Sequence, residues 1–223
     1  MSTGTPFRLA ILISGRGSNM IAIARACLAG SIPARVAVVI SDRAEAAGLA
    51  GAAALGIETA TVLQPQSGGD SAFERSLAAA LQKHQPDMIA LAGFMRILTG
   101  RFVDRYLGRM LNIHPSLLPA YRGLHTHARV LAAGDTEHGA SVHFVTGELD
   151  AGPVVLQSKV AVQPGDTEAT LSARVQATEH IIYPRVLGWC AQGRLAWRED
   201  AAWLDGRRLD APIVEDFRAA GRD

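Results

Sequence analysis

Residues 7–14 have the sequence FRLAILIS, a largely apolar run that ends at Gly15. Eight residues are few for a helix, and an apolar run without alternation is typical of a strand buried on both faces of a parallel sheet. A turn with the sequence GRGSN follows at residues 15–19, and a helical pattern begins at Ser18. This order of strand, glycine turn and helix predicts the first unit of an α/β fold.

The same alternation continues through the first half of the chain. Further strand patterns occur at residues 35–41, 59–63, 88–92 and 109–113, and helical patterns occur at 18–29, 44–55, 71–84 and 99–106. They predict a Rossmann-like, doubly wound α/β fold with a mainly parallel sheet, whose ligands bind at the carboxyl ends of the strands. Extended runs at 139–145 and 153–160 predict an added antiparallel hairpin, which a long helix at 167–187 follows.

Length and charge limit the possible functions. The chain has 223 residues, with 22 basic and 21 acidic side chains and a net charge of +1. Such a length suits one large domain or two small ones, and a balanced charge argues against a groove that binds nucleic acid. The two cysteines do not form a disulfide framework, and we find neither a membrane-spanning run nor a secretory leader. These features predict a soluble, cytoplasmic protein.

The glycine turn is a candidate phosphate site. Glycines allow close backbone approach, and the free amides at the start of the next helix favour an anion. A dinucleotide fingerprint would need a glycine at position 20, where Met20 stands, although Asp42 is placed to imitate the acid that holds an NAD ribose. A nucleotide-binding P-loop is excluded because no GK[ST] occurs. A plain tight turn stays open as the simpler interpretation.

Asn112 and His114 give the strongest chemical indication. They stand two residues apart at the end of a predicted strand, so their side chains share one face if the extended conformation persists. One amide and one imidazole on the same face suit the stabilisation of an oxyanion while a proton moves. Asp150 lies in a glycine-flanked loop, and a carboxylate beside His114 would favour the protonated ring and orient it. An ordinary turn aspartate, and a histidine that only satisfies backbone groups, stay open.

Other histidines suggest a metal site, which we consider weak. His125, His127, His138 and His143 could supply imidazoles, but no HExxH motif or cysteine pair accompanies them. A serine hydrolase is also disfavoured, because no GxSxG motif occurs and Ser116 follows a proline. We therefore expect no metal.

Six motifs, taken in order, resemble a known family. They are ISGRGSN at 13–19, LAGFMRIL at 91–98, LNIHPSLLP at 111–119, GLHTH at 123–127, HGASVHFV at 138–145 and LDAGPV at 149–154. Together they closely resemble the phosphoribosylglycinamide formyltransferases of purine biosynthesis, members of the folate-dependent formyltransferases. The resemblance covers about residues 9–209.

The resemblance implies the substrates and the site residues. The donor would be 10-formyltetrahydrofolate, and the acceptor would be the primary amine of 5-phosphoribosylglycinamide, with direct attack through a tetrahedral intermediate and no metal. Asn112, His114 and Asp150 would be catalytic. The acceptor phosphate would be held by Gly17, Ser18 and Asn19, and the rest of the acceptor by Gln176, Ala177, Thr178 and Glu179. Folate would contact Met95, Arg96, Ile97, Leu98, Asn112, Thr146, Gly147, Glu148, Leu149 and Asp150.

The resemblance also implies an organisation. Residues 1–223 would form a single formyltransferase domain with a phosphate-binding half at 7–108, a catalytic and folate-binding half at 109–209, and a tail at 210–223 that is expected to fray. The partners would be small molecules, with no nucleic acid and no membrane. The sequence leaves the choice between monomer and homodimer open.

One departure and three alternatives accompany this interpretation. Many relatives carry an arginine that contacts folate just before the aromatic residue of the third helix, but the corresponding position holds Asp70. A 10-formyltetrahydrofolate hydrolase shares the NIHPS and LD-x-G-P motifs, and usually has an additional N-terminal regulatory domain. A methionyl-tRNA formyltransferase usually has an additional C-terminal RNA-binding domain. A non-catalytic nucleotide-binding module would use the glycine turn but would leave Asn112, His114 and Asp150 without a role.

Overall fold

A computed structural model describes residues 6–219. Its strands are β1 (Phe7–Ile13), β2 (Ala34–Ser41), β3 (Thr59–Thr61), β4 (Met88–Leu91), β5 (Met110–His114), β6 (Glu137–Phe144), β7 (Val154–Ala161), β8 (Leu195–Arg198), β9 (Ala201–Leu204), β10 (Arg207–Arg208) and β11 (Ile213–Asp216). Its helices are α1 (Ser18–Leu28), α2 (Ala47–Ala54), α3 (Gly69–His84), α4 (Gly100–Asp104), α5 (Thr126–Ala133) and α6 (Glu168–Ala191).

The main sheet has eight strands in the order β11-β7-β6-β5-β4-β1-β2-β3. All neighbouring pairs are parallel except those of β6, which runs antiparallel to both β5 and β7. The predicted fold class is therefore confirmed, including the hairpin that β6 and β7 form. β6 lies inside the sheet and is buried on both faces.

Two apolar layers explain why β1 lacks alternation in its sequence. Leu9, Ile11 and Ile13 face a core that includes residues of α1, α5 and α6, whereas Ala10 and Leu12 face a second core built with α3 and α4. Each of these five side chains is completely buried. A strand covered by helices on both sides needs apolar residues at successive positions.

The expectation that the tail from residue 210 frays is wrong for residues 213–217, which are held against β7. Within it, Ile213–Asp216 forms β11, which pairs in parallel with β7, and the Phe217 amide donates to the Lys159 carbonyl at 2.8 Å. The edge of β7 offers unpaired backbone groups, and a polar segment with two β-branched residues satisfies them. Residues 220–223 lie outside the described range.

A second sheet, of three strands, was not among the predicted elements. The order β10-β9-β8 is antiparallel throughout, and Trp197 of β8 packs edge-on against Phe144 of β6, with ring centroids 5.4 Å apart. None of the helices within residues 6–219 is long and apolar enough to cross a membrane.

The longest helix is anchored beneath the carboxyl ends of two central strands. Thr167 caps α6 in a reciprocal arrangement with Thr170, which satisfies two backbone amides at the start of the helix. Further along, the buried Tyr183 hydroxyl lies 3.1 Å from the Leu91 carbonyl and 3.0 Å from the Leu111 carbonyl, and it can donate to either. Leu91 ends β4 and Leu111 precedes Asn112, so α6 is held against the edge at which ligands of such sheets bind.

Candidate active site

A cavity of about 400 Å³ opens at the carboxyl ends of β4 and β5. Its volume is in the range usual for small-molecule sites. It brings together every residue predicted to be catalytic or to bind folate. These residues are Met95, Arg96, Ile97, Leu98, Asn112, His114, Thr146, Gly147, Glu148, Leu149 and Asp150.

The amide of Asn112 is oriented by a histidine on the neighbouring strand. Asn112 and His143 are direct partners in the β5–β6 register, and the Asn112 Nδ2 donates to the His143 Nε2 at 3.1 Å. His143 Nδ1 donates to the Phe144 carbonyl at 2.9 Å, so its Nε2 is the unprotonated nitrogen. Burial lowers the pKa of His143 to about 4, which keeps it a neutral acceptor. The second N–H of the Asn112 amide is thus left for a ligand.

The role of His143 could not be recognised from its sequence position. It lies 31 residues from Asn112, and the sequence suggests for it only the role of a metal ligand. The strand register decides that the two side chains are neighbours.

His114 is held between a backbone carbonyl and a carboxylate. Its Nε2 lies 3.0 Å from the Tyr121 carbonyl oxygen, to which it donates, and its Nδ1 lies 3.4 Å from the Asp150 Oδ2. The predicted contact between His114 and Asp150 is therefore present in the structure. The shorter contact to Tyr121 orients the ring, however, whereas the expectation assigned that task to Asp150. The longer contact, of 3.4 Å, joins the Nδ1 of His114 to the carboxylate of Asp150.

Asp150 reaches His114 from a tight loop between β6 and β7. Its backbone is left-handed, with φ of 49°, and its Oδ2 accepts a hydrogen bond from the Gly123 amide at 2.9 Å. Its side chain is 7% exposed, and its Oδ1 lies 3.7 Å from the His143 Nε2. Gly152 closes this loop so tightly that a Cβ there would lie 1.9 Å from the Phe144 carbonyl oxygen. The position tolerates no other residue without a backbone shift.

The mouth of the cavity exposes apolar side chains. Met95 is 60% exposed, Ile97 76% and Leu149 51%, whereas Leu98 is buried. Large apolar groups that gather at the rim of a pocket are typical of a site for a flat organic ligand. Thr146, Gly147 and Glu148 continue the same rim.

Arg96 is fixed by residues of the third helix and the loop before it. Its guanidinium lies 4.1 Å from the centre of the Phe73 ring and donates to Asp70 at 3.1 Å and to Gln64. Asp70, where the resemblance leads us to expect an arginine, is thus a partner of Arg96. Arg75 is exposed on α3.

The glycine turn lies on the same sheet edge but outside the cavity wall. Gly17 precedes α1 with φ of 72°, and a Cβ there would lie 3.0 Å from the Gly48 Cα, so a glycine is required. The turn is joined to the cavity through Ser14, whose Oγ accepts from the Met95 amide at 2.8 Å. Ser18 is half-buried and begins α1.

The side chain of Asn19 turns to the last helix. Its Nδ2 donates to Glu179 Oε2 at 2.7 Å, across 160 residues of sequence, and both side chains are buried. Burial raises the pKa of Glu179, and the hydrogen bond from Asn19 partly opposes that rise. The Asn19 Oδ1 is buried without a hydrogen-bond partner among residues 6–219. Two residues predicted to bind different parts of one acceptor are therefore in direct contact.

The other predicted acceptor residues of α6 have different surroundings. Gln176 is half-buried and Ala177 is exposed. The hydroxyl of Thr178 is engaged within the core, at 2.7 Å from the Ser158 Oγ and 2.8 Å from the Val175 carbonyl. The involvement of these three residues with the acceptor stays a prediction.

Two of the remaining histidines, His127 and His138, pair with each other. His127 Nδ1 and His138 Nε2 are 2.9 Å apart, and burial lowers the pKa of His127 and lowers that of His138 to about 4. His125 is exposed at the start of α5. In the described part of the chain, no three His, Cys, Asp or Glu side chains are arranged to hold a metal ion.

Comparison with known proteins identifies the family. The family model described as "Formyl transferase" matches residues 7–187. The chain belongs to the formyl transferase family. Phosphoribosylglycinamide formyltransferase of Escherichia coli is 53% identical over 201 residues, which are 90% of this chain and 95% of that protein. The structure of phosphoribosylglycinamide formyltransferase from Coxiella burnetii in complex with CHES has a TM-score of 0.89 at 45% identity, covering 94% of this chain and 99% of that one. The resemblance noted in the sequence is confirmed.

A structural neighbour with lower identity bears on the hydrolase alternative. A formyltetrahydrofolate deformylase from Pseudomonas syringae pv. tomato has a TM-score of 0.83 but is 22% identical. It covers 90% of this chain, which covers 66% of that protein. At this identity the likeness concerns the fold alone.

Proposed function

We propose that the protein transfers the formyl group of 10-formyltetrahydrofolate to the primary amine of 5-phosphoribosylglycinamide, a step of purine biosynthesis. The observation that carries this proposal is the gathering of Asn112, His114 and Asp150 in one cavity wall, beside an apolar rim. The relatives of similar length that carry this name support the choice of acceptor. The donor, when bound, supplies a formyl carbon that is open to attack by an amine.

The cavity fits the donor in size and polarity. Its volume of about 400 Å³ and the exposed side chains of Met95, Ile97 and Leu149 suit a flat heterocycle. The polar groups lie deeper, on β5 and in the loop that carries Asp150. This separation suits a donor whose flat heterocycle lies at the apolar rim and whose reactive end lies against the polar wall.

Asn112 and His114 stabilise the charge that develops on the formyl oxygen. Asn112 offers the N–H that His143 does not use. His114 offers an Nδ1–H when its ring carries both protons, because its Nε2–H donates to the Tyr121 carbonyl. Both donors are held before the reaction begins, which is the condition under which such groups lower a barrier most. As the carbon–nitrogen bond to the acceptor forms, the amine must lose a proton. Asp150, whose Oδ2 lies 3.4 Å from the His114 Nδ1, is the carboxylate placed to receive it. When the tetrahedral intermediate collapses, the bond between the formyl carbon and N10 of the donor breaks, and N10 takes up that proton as tetrahydrofolate leaves.

The glycine turn anchors the acceptor. Gly17, Ser18 and Asn19 offer backbone amides at the start of α1 to the phosphate. Glu179, held by Asn19, lies beside them and is placed for the ribose or the amine, with Gln176, Ala177 and Thr178 completing this side. We further propose that residues 7–108 and 109–209 are the phosphate-binding and catalytic halves of one domain. The proposed location is the cytoplasm. A homodimer is compatible with the proposed function.

A formate-release assay tests the activity against its alternative. Purified protein is given 10-formyltetrahydrofolate with and without 5-phosphoribosylglycinamide, and formylated acceptor and free formate are both measured. A transferase forms formylated acceptor and releases little formate when the acceptor is absent. Rapid formate release without acceptor identifies a hydrolase. Binding of the acceptor without turnover identifies a nucleotide-binding module.

A further inference from the structure

The orientation of His114 depends on a loop, because its Nε2 donates to the carbonyl of Tyr121 seven residues later. We call residues 115–121 the His114 loop. Tyr121 has φ of 55°, a left-handed conformation that is unfavourable for a residue with a Cβ. The carbonyl of Tyr121 therefore stays in place only if the surrounding structure holds the loop.

Two buried side chains of the hairpin hold the His114 loop. The Leu118 amide donates to the Ser141 Oγ at 3.1 Å, and that hydroxyl donates to the Ser116 carbonyl at 2.6 Å. Gln157 Nε2 donates to the Leu118 carbonyl and to the Ser141 Oγ, each at 2.9 Å. A further bond runs inside the loop, from the Ser116 hydroxyl to the Ala120 carbonyl at 2.7 Å.

The sheet register aligns these residues with the catalytic histidine. His114 of β5 is the direct partner of Ser141 of β6, and Ser141 is the direct partner of Gln157 of β7. The three side chains thus form one row across the sheet. From the far end of this row, the amide of Gln157 reaches over Ser141 to the backbone of the loop that returns to His114.

The burial of Gln157 is otherwise unexplained. It is 6% exposed, it lies between the apolar Leu156 and the fully buried Ser158, and it does not line the cavity. A buried primary amide is unfavourable unless its hydrogen bonds are made. Within residues 6–219, both recorded bonds of its Nε2 serve the His114 loop or the serine that holds it.

We propose that Gln157 is a positioning residue for formyl transfer, which acts on His114 through the His114 loop. Its amide holds Leu118, which holds the turn that presents the Tyr121 carbonyl to the His114 Nε2. The inference rests on the proposed role of His114. It makes no use of a contact between Gln157 and any substrate.

A double-mutant cycle tests the route through His114. Gln157→Met keeps the length of the side chain and removes its donors. We expect kcat to fall on the order of tenfold, with KM for both substrates changed less than about twofold, because small displacements of a catalytic group are costly. In a His114→Ala background the same substitution should have almost no further effect on kcat. Val160→Ala, a buried apolar change on the same strand, should alter stability and leave kcat unchanged in both backgrounds.

A spectroscopic readout separates this inference from the activity itself. The Nε2 proton of His114, observed by NMR in protein with ¹⁵N-labelled histidine, should be protected from exchange in the wild type. It should shift and exchange faster in Gln157→Met. Ser141→Ala is the second variant and should give the same change if Gln157→Met does not fold.

An unchanged Nε2 resonance in the variants, or an equal loss of kcat with and without His114, overturns the positioning role. A wild type that releases formate instead of transferring it, but whose Nε2 resonance shifts in Gln157→Met, overturns the proposed function and leaves the positioning role standing.

Discussion

The glycine turn after β1 and the catalytic cluster after β5 lie on the same edge of one sheet, but they are built differently. The turn is contiguous, since residues 15–19 supply both the conformation and the free amides. The cluster takes Asn112 and His114 from one strand, His143 from the next and Asp150 from a loop beyond it. Local chemistry makes the first site, whereas strand register makes the second. Substitutions should therefore act separately on binding in the turn and jointly on turnover in the cluster.

The largest effect is expected at the centre of the cluster. His114→Ala removes a charge-stabilising donor and the partner of Asp150, and kcat should fall by about 10²–10⁴-fold. KM for the acceptor should change only a few-fold, because the phosphate site is elsewhere. Steady-state kinetics with both substrates measures the two parameters.

His84→Ala is the matched control for that variant. It removes another buried histidine, at the end of α3 and the opposite edge of the sheet. Its kcat should match the wild type in folded protein. If His114→Ala weakens acceptor binding and leaves turnover intact, the division between the two sites is wrong.

A second variant pair tests whether the cluster acts jointly. Asn112→Ala should lower kcat by about 10²-fold, the usual effect of losing one oxyanion donor. His143→Phe should lower it less, because the amide of Asn112 survives but loses its orienting acceptor. The double variant should resemble Asn112→Ala alone. Independent, multiplying losses would show that His143 acts on something other than Asn112.

The turn should respond in binding. Asn19→Ala removes the hydrogen bond to the buried carboxylate of Glu179, and KM for the phosphorylated acceptor should rise by about tenfold with kcat nearly unchanged. An acceptor analogue without phosphate tests the site. It should bind more weakly than the acceptor, and substitutions at Gly17 and Ser18 should change its binding less. A fall in kcat without a rise in KM would place Asn19 with the cluster.

The smallest effect concerns stability and pH. Burial lowers the pKa of His143 and that of His138 to about 4, below the ordinary value of 6.5. Between these values the unfolded chain binds more protons than the folded one, so the free energy of unfolding falls as the pH falls from 6.5 towards 4. Each histidine should contribute about 1 kcal/mol to the loss between pH 6.5 and 5.5.

Urea denaturation at several pH values measures this slope. His138→Gln removes one of the buried histidines whose pKa is lowered, and it should make the curve shallower over that interval. A free energy of unfolding that stays constant from pH 6.5 to 5.5 would contradict the burial argument. The glycine turn itself contains no histidine.

Much of the fold could be predicted because each unit has a local cause. The apolar run before Gly15 predicted a central strand, and Thr99 predicted the start of a short helix, where its hydroxyl accepts from the Phe102 amide at 3.3 Å. The small sheet from β8 to β10 and the strand β11 were missed. β11 pairs with an edge that β7 creates, and the strands of the small sheet have only two to four residues each, too few to show a pattern of their own.

The candidate site divides in the same way. The amino-acid sequence by itself determined the family, the glycine turn, and the spacing that sets Asn112 and His114 on one face of a strand, because each depends on neighbouring residues. Only the tertiary structure decided that His143 orients Asn112, that the Tyr121 carbonyl orients His114, and that Asn19 binds Glu179. These contacts join residues that are distant in sequence or lie on opposite sides of a turn. Register, loop path and burial bring them together, and none of the three is encoded by a short motif.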